Sequence, residues 1–224
     1  FLKMTIDLSE PEEPEAGCVV VQEEATNSTG SARRKKSAHS IMSKINTKKF
    51  VTSSKIEGLI DCLLEMRDSG SEHKAIVFSQ YTSFLDIVEW RIQKLGIRTV
   101  KMVGSMPISM RRSVLEAFKH VADVKILLLS LKAGGEGLNL QSATHVFVLE
   151  PWWNPAVEMQ AIQRAHRIGQ TKPVKAIRFC TEGTIEERMM ELQEKKKLVF
   201  EGTIDNNIES LVRLNEDDIR FLFS

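Results

Sequence analysis

The chain of 224 residues is long enough for one α/β domain with a sizeable core and some appended structure. Its 42% hydrophobic and 27% charged residues are ordinary values for a globular protein, so the composition excludes a chain that is disordered throughout. The 31 basic and 30 acidic side chains give a net charge of +1, which neither favours nor excludes a nucleic-acid partner. The three cysteines are widely spaced and form no paired metal motif, which suits a reducing compartment, and no apolar run is long enough to span a bilayer.

Residues 1–50 differ in composition from the rest of the chain. An acidic stretch without basic residues runs from Asp7 to Glu24, and a basic quartet follows at residues 33–36. This pattern predicts a disordered, low-complexity charged linker. The functional readings of the quartet are a nuclear localisation signal and a patch that touches DNA. The alternative is a solvated run of charges in a linker.

From residue 51 onwards, apolar residues at helical spacing alternate with short apolar runs, which predicts alternating helices and strands. Ser54 is the predicted cap of the first helix, Gly96 ends the second, and Thr184 caps the last together with Glu187. The predicted helices include Ile56–Leu64, Phe84–Ile92, Val114–Phe118, Met159–Ala165 and Thr184–Val199. The predicted strands are Ala75–Phe78, Ile97–Val100, Val124–Leu129, His145–Leu149 and Val174–Phe179.

Continuously apolar strands separated by helices indicate an α/β fold, in which helices cover both faces of a parallel sheet. We expect residues 51–182 to form this lobe and residues 183–224 to form a helical extension. Ligands of such sheets bind at the carboxyl ends of the strands, so the loops that follow the strands are the candidate sites.

Two of these loops have features of phosphate contacts. Ser79–Thr82 follows the first strand, and its polar groups suit either a phosphate or a plain helix cap. Ser130–Leu140 contains three glycines in four positions, together with Ser130 and Lys132. Glycines let a backbone approach a ligand closely, so we favour a phosphate-contact loop over a flexible turn. It is not a Walker A loop, because no Gly-Lys-Ser or Gly-Lys-Thr occurs.

The third loop contains two arginines, Arg164 and Arg167, three positions apart, with Gln160 four residues before the first. Helical spacing predicts that all three share one side of a helix. Paired guanidiniums match phosphate oxygens, and the alternative is two salt bridges on a solvated helix. We interpret His166 as a hydrogen-bonding structural residue, since no metal-ligand spacing accompanies it.

The turn Pro151–Pro155 presents two tryptophans, Trp152 and Trp153. The alternatives for these indoles are core packing and stacking on a sugar or a base, and we expect one of each.

The segments KAIVFSQYTSFLD, GSMP, LLSLKAGGEGLNL, PWWNP and QAIQRAHRIGQ closely resemble, in order and spacing, the second-lobe motifs of the Swi/Snf group of helicase superfamily two. The C-terminal part resembles the RING-bearing Rad branch of that group, including its nucleotide-excision-repair member. The resemblance implies a RecA-like lobe that begins after the RING, whose cysteines are absent here.

The resemblance also implies residue roles. Arg164 and Arg167 match the paired arginine fingers of the family. The nucleotide-side positions that it implies are Gln160, Gly135 and Gly137. The DNA-facing positions are Gln80, Ser105, Ser130, Lys132 and Trp153. Two positions depart from the family pattern, because Val103 and Gln163 stand where it usually has Asp.

The resemblance implies a nuclear, DNA-dependent ATPase that moves on double-stranded DNA in DNA repair or chromatin remodelling. Its cofactor is ATP with Mg²⁺, held mainly by a first RecA-like lobe that this chain lacks, so we expect the chain alone to be inactive. Further expected partners are chromatin or repair-complex subunits, and no membrane. The alternatives are a truncated non-catalytic DNA- or protein-binding module and part of a RING ubiquitin ligase.

Overall fold

The structure is a computed structural model that describes residues 2–6, 50–134, 138–167, 169–202 and 215–223. Its strands are β1 (Leu2–Ile6), β2 (Ala75–Ser79), β3 (Arg98–Met102), β4 (Val124–Ser130), β5 (His145–Val148) and β6 (Lys175–Cys180). Its helices are α1 (Ser54–Ser69), α2 (Thr82–Gln93), α3 (Ile108–His120), α4 (Leu131–Gly134), α5 (Pro155–Gln163), α6 (Ile185–Gly202) and α7 (Glu216–Phe223).

The strands form one sheet in the order β1-β6-β5-β2-β4-β3. All neighbours are parallel except β1, which pairs antiparallel with β6. The five parallel strands are the five that the apolar runs predict, with ends shifted by up to a few residues. The predicted α/β class is therefore confirmed.

Helices cover the sheet on both faces, as the continuously apolar strands predict. On one face α1 and α2 contribute Leu59 and Val88 to a buried cluster with Val77. On the other face α3 and α5 contribute Phe118 and Ile162 to a second cluster. Because successive strand residues point to opposite faces, each central strand supplies both clusters and is buried along its length.

The prediction of a disordered linker from residue 1 is wrong for Leu2–Ile6. These residues form β1, which pairs with β6 in a register that runs from Leu2 opposite Cys180 to Ile6 opposite Ala176. Apolar Leu2, Met4 and Ile6 alternate with polar Lys3 and Thr5, which is the pattern of a half-buried strand, and the free edge of β6 supplies the partner for it. The acidic stretch and the basic quartet lie outside the described residues.

The predicted helix caps are largely present. The first helix is capped by Ser53 rather than Ser54, since the Ser53 hydroxyl accepts from the Ile56 N–H at 3.3 Å. At the start of α6 the Thr184 hydroxyl accepts from the Glu186 N–H at 3.2 Å. Glu187 completes this cap by accepting from the N–H of Gly183 at 2.9 Å, one residue earlier than an ideal capping box requires.

The C-terminal helix α7 packs on α6 through polar contacts. Lys196 pairs with Asp218 at 2.8 Å, and the Lys195 ammonium lies 3.6 Å from the centre of the Phe221 ring. Arg188 donates to the carbonyl of Leu222 at 3.4 Å. Within the described part of the chain, none of the helices is long and apolar enough to cross a membrane.

We predict that Gly96→Ala destabilises the lobe by about 1–2 kcal/mol, because Gly96 ends the α2 segment at φ +74, where a Cβ is disfavoured. No atom lies within 4 Å of the added methyl group, so backbone strain is the whole effect. Urea unfolding measures the change. Gly104→Ala is the matched control, because that site is equally open and lacks a positive φ. Equal stability losses in the two variants would contradict the assignment.

Candidate functional site at the carboxyl edge of the sheet

The chain reverses its direction of winding between β2 and β5, which are neighbours in the sheet. The helix α2 that follows β2 packs on one face, and the helix α5 that follows β5 packs on the other. Their loops therefore separate and leave a crevice at the carboxyl ends of the two strands. This is the topological switch point, where open α/β sheets bind ligands.

A buried carboxylate lies at this switch point. Glu150 follows β5 and is only 7% exposed. The Ser79 hydroxyl donates to its Oε1 at 2.9 Å, and the Gln80 N–H donates to its Oε2 at 3.3 Å. The Ser79 hydroxyl oxygen in turn accepts from the Tyr81 N–H at 3.1 Å. Glu150 thus holds the first residues of the loop after β2, including Gln80, which the sequence predicts to face DNA.

Burial raises the pKa of the Glu150 carboxyl to about 7, although the bonds from Ser79 and Gln80 oppose the shift. Its charged neighbours are Lys55 on α1 and Glu186 on α6, which pair with each other at 2.6 Å. Lys55 favours the ionised form of Glu150, and Glu186 disfavours it. A buried carboxyl that titrates near neutral pH beside a cleft is typical of functional sites.

The glycine-rich loop begins directly after β4. Ser130 ends that strand and is 4% exposed, and its hydroxyl oxygen has no hydrogen-bond partner in the described part of the chain. A buried unsatisfied hydroxyl at a sheet edge is unusual and fits a position that a ligand completes. Gly135 and Gly137 lie outside the described residues, as does the side chain of Lys132, so their predicted roles remain predictions.

The arginine pair is arranged differently from the prediction. The helix α5 ends at Gln163, and Arg164 is its C-cap with φ −69 and ψ −26. Arg167 lies past the helix end in the following turn, so the prediction that Gln160, Arg164 and Arg167 share one helical side is wrong for Arg167. Gln160 and Arg167 are exposed, and Arg164 is half-buried.

The arginine-bearing turn, residues 164–170, is tied to the segment that follows the glycine-rich loop. The Leu140 N–H donates to the Arg164 carbonyl at 3.2 Å. The Gln170 side-chain amide donates to the carbonyls of Gln141 and Ala143 at 2.8 and 3.1 Å. These bonds tie the turn after α5 to the stretch that leads into β5, so its Gln170 end lies at the amino ends of the strands.

Arg164 itself has an unusual environment. Its Nε is buried and makes no hydrogen bond with any residue that the structure describes. Neither Arg164 nor Arg167 pairs with a carboxylate among the residues that the structure describes, which disfavours the salt-bridge alternative. Buried guanidinium nitrogens are rarely left unpaired, so the arrangement suits an anionic ligand that arrives from elsewhere.

The remaining predicted residues lie in the turns that follow β3, β5 and α5. Ser105 is exposed in the turn after β3. Trp152 and Trp153 are both half-buried, with ring centres 5.6 Å apart, so neither indole is wholly in the core. His166 is exposed, and its ring makes no hydrogen bond with the described residues, which contradicts its interpretation as a hydrogen-bonded structural residue.

Sequence reasoning missed two buried acids, Glu150 and Glu158. Glu150 follows an apolar strand directly, at the position where candidate ligand-contact residues are sought, so its place after Leu149 is the signal that could have found it. Glu158 is completely buried on α5. Its position within the apolar stripe of that helix is a weaker signal, because a single carboxylate there also fits a boundary position.

A five-stranded parallel sheet that helices cover on both faces is the architecture of a RecA-like lobe. Residues 54–169 match the family described as helicase conserved C-terminal domain, and the chain belongs to that family. The match agrees with the resemblance to Swi/Snf-group helicases.

The chain is similar to named repair and helicase proteins. It is 45% identical over 185 residues to the ATP-dependent helicase rhp16 of Schizosaccharomyces pombe, covering 83% of this chain and 22% of that protein. It is 44% identical over 176 residues to the DNA repair protein RAD5B of Arabidopsis thaliana, covering 79% of this chain and 14% of that protein. The chain therefore spans less than a quarter of either relative.

A solved structure supports the same fold. The crystal structure of the C-terminal part of the Fun30 ATPase domain aligns with a TM-score of 0.63 and 33% sequence identity. The alignment covers 66% of this chain and 48% of that one.

We predict that Glu150→Gln removes a pH dependence of stability. The raised pKa means that the native state keeps a proton that the unfolded chain releases above about 4.5, so native stability is lost as the pH rises from about 4.5 to about 7. The variant should match the unchanged protein at pH 4 and exceed it at pH 8, by up to roughly 3 kcal/mol. Urea unfolding at several pH values measures this. The control is Glu194→Gln, an exposed position on α6, and parallel profiles for all three proteins would refute the assignment.

Proposed function

We propose that this chain is the second RecA-like lobe of a DNA-dependent ATPase that moves along double-stranded DNA. In the complete protein, a first lobe holds ATP with Mg²⁺ and the carboxylate that activates water. The present lobe contacts one DNA strand and completes the ATP site when the cleft between the lobes closes. Alone it has no Walker A lysine, and we expect no ATP turnover from it.

The arrangement of Arg164 carries this proposal. Arg164 is half-buried, its Nε has no hydrogen-bond partner among the described residues, and its backbone carbonyl accepts from the Leu140 N–H of the segment that follows the glycine-rich loop. A guanidinium that is held in place without a protein counter-charge is suited to stabilise the charge that spreads over a transferring γ-phosphate. Arg167, three residues on and exposed, supplies the second finger, and Gln160 and the loop glycines line the nucleotide side.

The DNA contacts are proposed for loops at the carboxyl edge of the sheet, one of which, the glycine-rich loop, also carries the glycines of the nucleotide side. They follow β2, β3, β4 and β5 in turn and comprise Gln80, Ser105, Ser130, Lys132 and Trp153. We expect these hydroxyl, amide and ammonium groups to contact phosphates, which carry no sequence information, so the lobe should bind DNA without sequence preference. The indole of Trp153 adds a face that can stack on any nucleotide.

The names of the relatives suggest the biological setting. One similar protein is called an ATP-dependent helicase and another a DNA repair protein. We propose that the complete protein works in the nucleus in DNA repair or chromatin remodelling, alongside chromatin or repair-complex subunits. Residues 51–182 form the motor lobe in this proposal, and residues 183–224 form its helical extension.

Binding of the purified lobe to duplex DNA should fall steeply with salt, because phosphate contacts release counterions. Lys132→Ala should weaken binding equally on unrelated sequences and lower the slope of log K against log salt by about 1. Fluorescence anisotropy with labelled duplexes at several salt concentrations measures both effects. Lys172→Ala is the control, because that exposed lysine precedes β6 at the opposite end of the sheet. Binding that is indifferent to salt would contradict the proposal.

Replacing either arginine should abolish ATP hydrolysis in the full-length protein. An arginine finger contributes about 10³ to 10⁵ in turnover, or roughly 4 to 7 kcal/mol, whereas a surface salt bridge contributes about 0 to 1 kcal/mol. Arg164→Lys and Arg167→Lys should fail as completely as the alanine variants, since an ammonium cannot reproduce the planar fork. Steady-state ATPase assays with saturating DNA measure the loss.

The matched control for these variants is Arg220→Ala, which removes an exposed arginine that pairs with Glu216 at 2.8 Å on α7. It should leave turnover unchanged. DNA affinity and thermal unfolding of the Arg164 and Arg167 variants should also stay close to those of the unchanged protein. Near-normal turnover in both alanine variants would show that these residues are not fingers, and loss of folding would favour a structural role.

A further inference from the structure

A second buried polar network lies on the far side of α5 from the exposed Gln160. At its centre is Glu158, which is 0% exposed. Its Oε2 accepts from Arg178 of β6, through Nε at 2.7 Å and Nη2 at 2.5 Å. Its Oε1 accepts from the Trp152 N–H and from the Gln193 side-chain amide, the latter at 3.2 Å. Each oxygen of the Glu158 carboxylate thus accepts from two donor groups.

The helix α6 enters this network through two side chains one turn apart. The Gln193 amide nitrogen donates both to Glu158 and to the Trp152 carbonyl. Arg178 places its Nη1 3.3 Å from the sulfur of Met190. Gln193 is 5% exposed, so its bonds are made away from water, where an unmade bond is costly.

The two backbone groups of Trp152 are both used in this network. Its N–H binds Glu158, and its carbonyl binds Gln193. The next residue is Trp153, a proposed DNA contact, whose ring lies 5.6 Å from that of Trp152. The conformation of the tryptophan turn, residues 151–155, is consequently set by side chains from α5 and α6.

The same network sets the rotation of α5. Successive residues of an α-helix are rotated by about 100°, so a buried anchor at Glu158 determines the direction in which the end of the helix leaves. Arg164 is the C-cap of that end, six residues after Glu158. A small rotation at Glu158 would move the guanidinium, and displacement of a positioned catalytic group by about 1 Å costs on the order of 10²-fold in rate.

We propose that Gln193 is a positioning residue, which joins the tryptophan turn and the arginine-bearing helix into one rigid unit so that DNA contact at Trp153 and phosphate contact at Arg164 act together. Gln193 and Arg178 both lie beyond the residues 54–169 that match the helicase family. The helical extension is therefore part of the ATPase mechanism as well as of the packing. This inference rests on the proposed function of the two arginines.

The test uses the full-length protein with Gln193→Leu and Gln193→Met, which keep an apolar stem of similar size and remove the donor. We expect DNA-saturated kcat to fall about 10- to 100-fold, while KM for ATP changes by less than about twofold. The stimulation of turnover by DNA should fall as well. A displaced arginine finger stabilises the transition state less, whereas ATP in the ground state is still bound by the first lobe. The loss should therefore appear in kcat and not in KM.

The control is Leu192→Ala, which disturbs the packing of the neighbouring residue of α6 without touching the network. It should lower Tm by at least as much as the Gln193 variants and retain most of the kcat. A Gln193 variant that loses no more kcat than Leu192→Ala overturns the proposal, and so does failure of both Gln193 variants to fold while Leu192→Ala folds. If Arg164→Ala keeps its turnover, the proposed function itself fails, whatever Gln193 does.

Discussion

A parallel sheet that is covered by helices on both faces leaves only its two ends open to solvent. In this chain the central strands β2, β4 and β5 are buried almost completely, and the two apolar clusters take up alternate residues of each strand. Polar groups consequently gather in the loops at the carboxyl ends. Ser79, Ser130 and Glu150 lie at the ends of three adjacent strands for this reason, although they are far apart in the sequence.

Two buried carboxylates connect these loops to the rest of the lobe. Each accepts hydrogen bonds from a different set of segments. Glu150 joins the end of β5 to the loop after β2, and it remains close to its protonation midpoint at neutral pH. Glu158 joins the tryptophan turn, β6 and α6, where burial raises its pKa and the Arg178 guanidinium opposes that rise. Glu150 thus fixes the start of the loop after β2, and Glu158 fixes the tryptophan turn.

The helical extension is connected to the motor lobe by polar bonds at several points. Glu186 at the start of α6 pairs with Lys55 of α1 and accepts from the Thr181 N–H at 2.8 Å, while Gln193 reaches the tryptophan turn. Buried polar contacts of this kind depend on geometry more strongly than apolar packing does. They give the extension a defined orientation on the lobe.

The sequence by itself determined the fold class, the five parallel strands and the loops that carry chemistry, because apolar periodicity and glycine or arginine placement are local signals. The alternation of residues 2–6 could have indicated β1, but not its antiparallel pairing with β6, and no local signal gave the end of α5 before Arg167. Sequence reasoning also missed Glu150 and Glu158. The partners of these two carboxylates, Ser79 and Gln193, are 71 and 35 residues away, and only tertiary packing brings the groups together. Contacts between residues so far apart produce no periodic pattern in the sequence. Only the tertiary structure therefore shows which groups hold Glu150 and Glu158 in place.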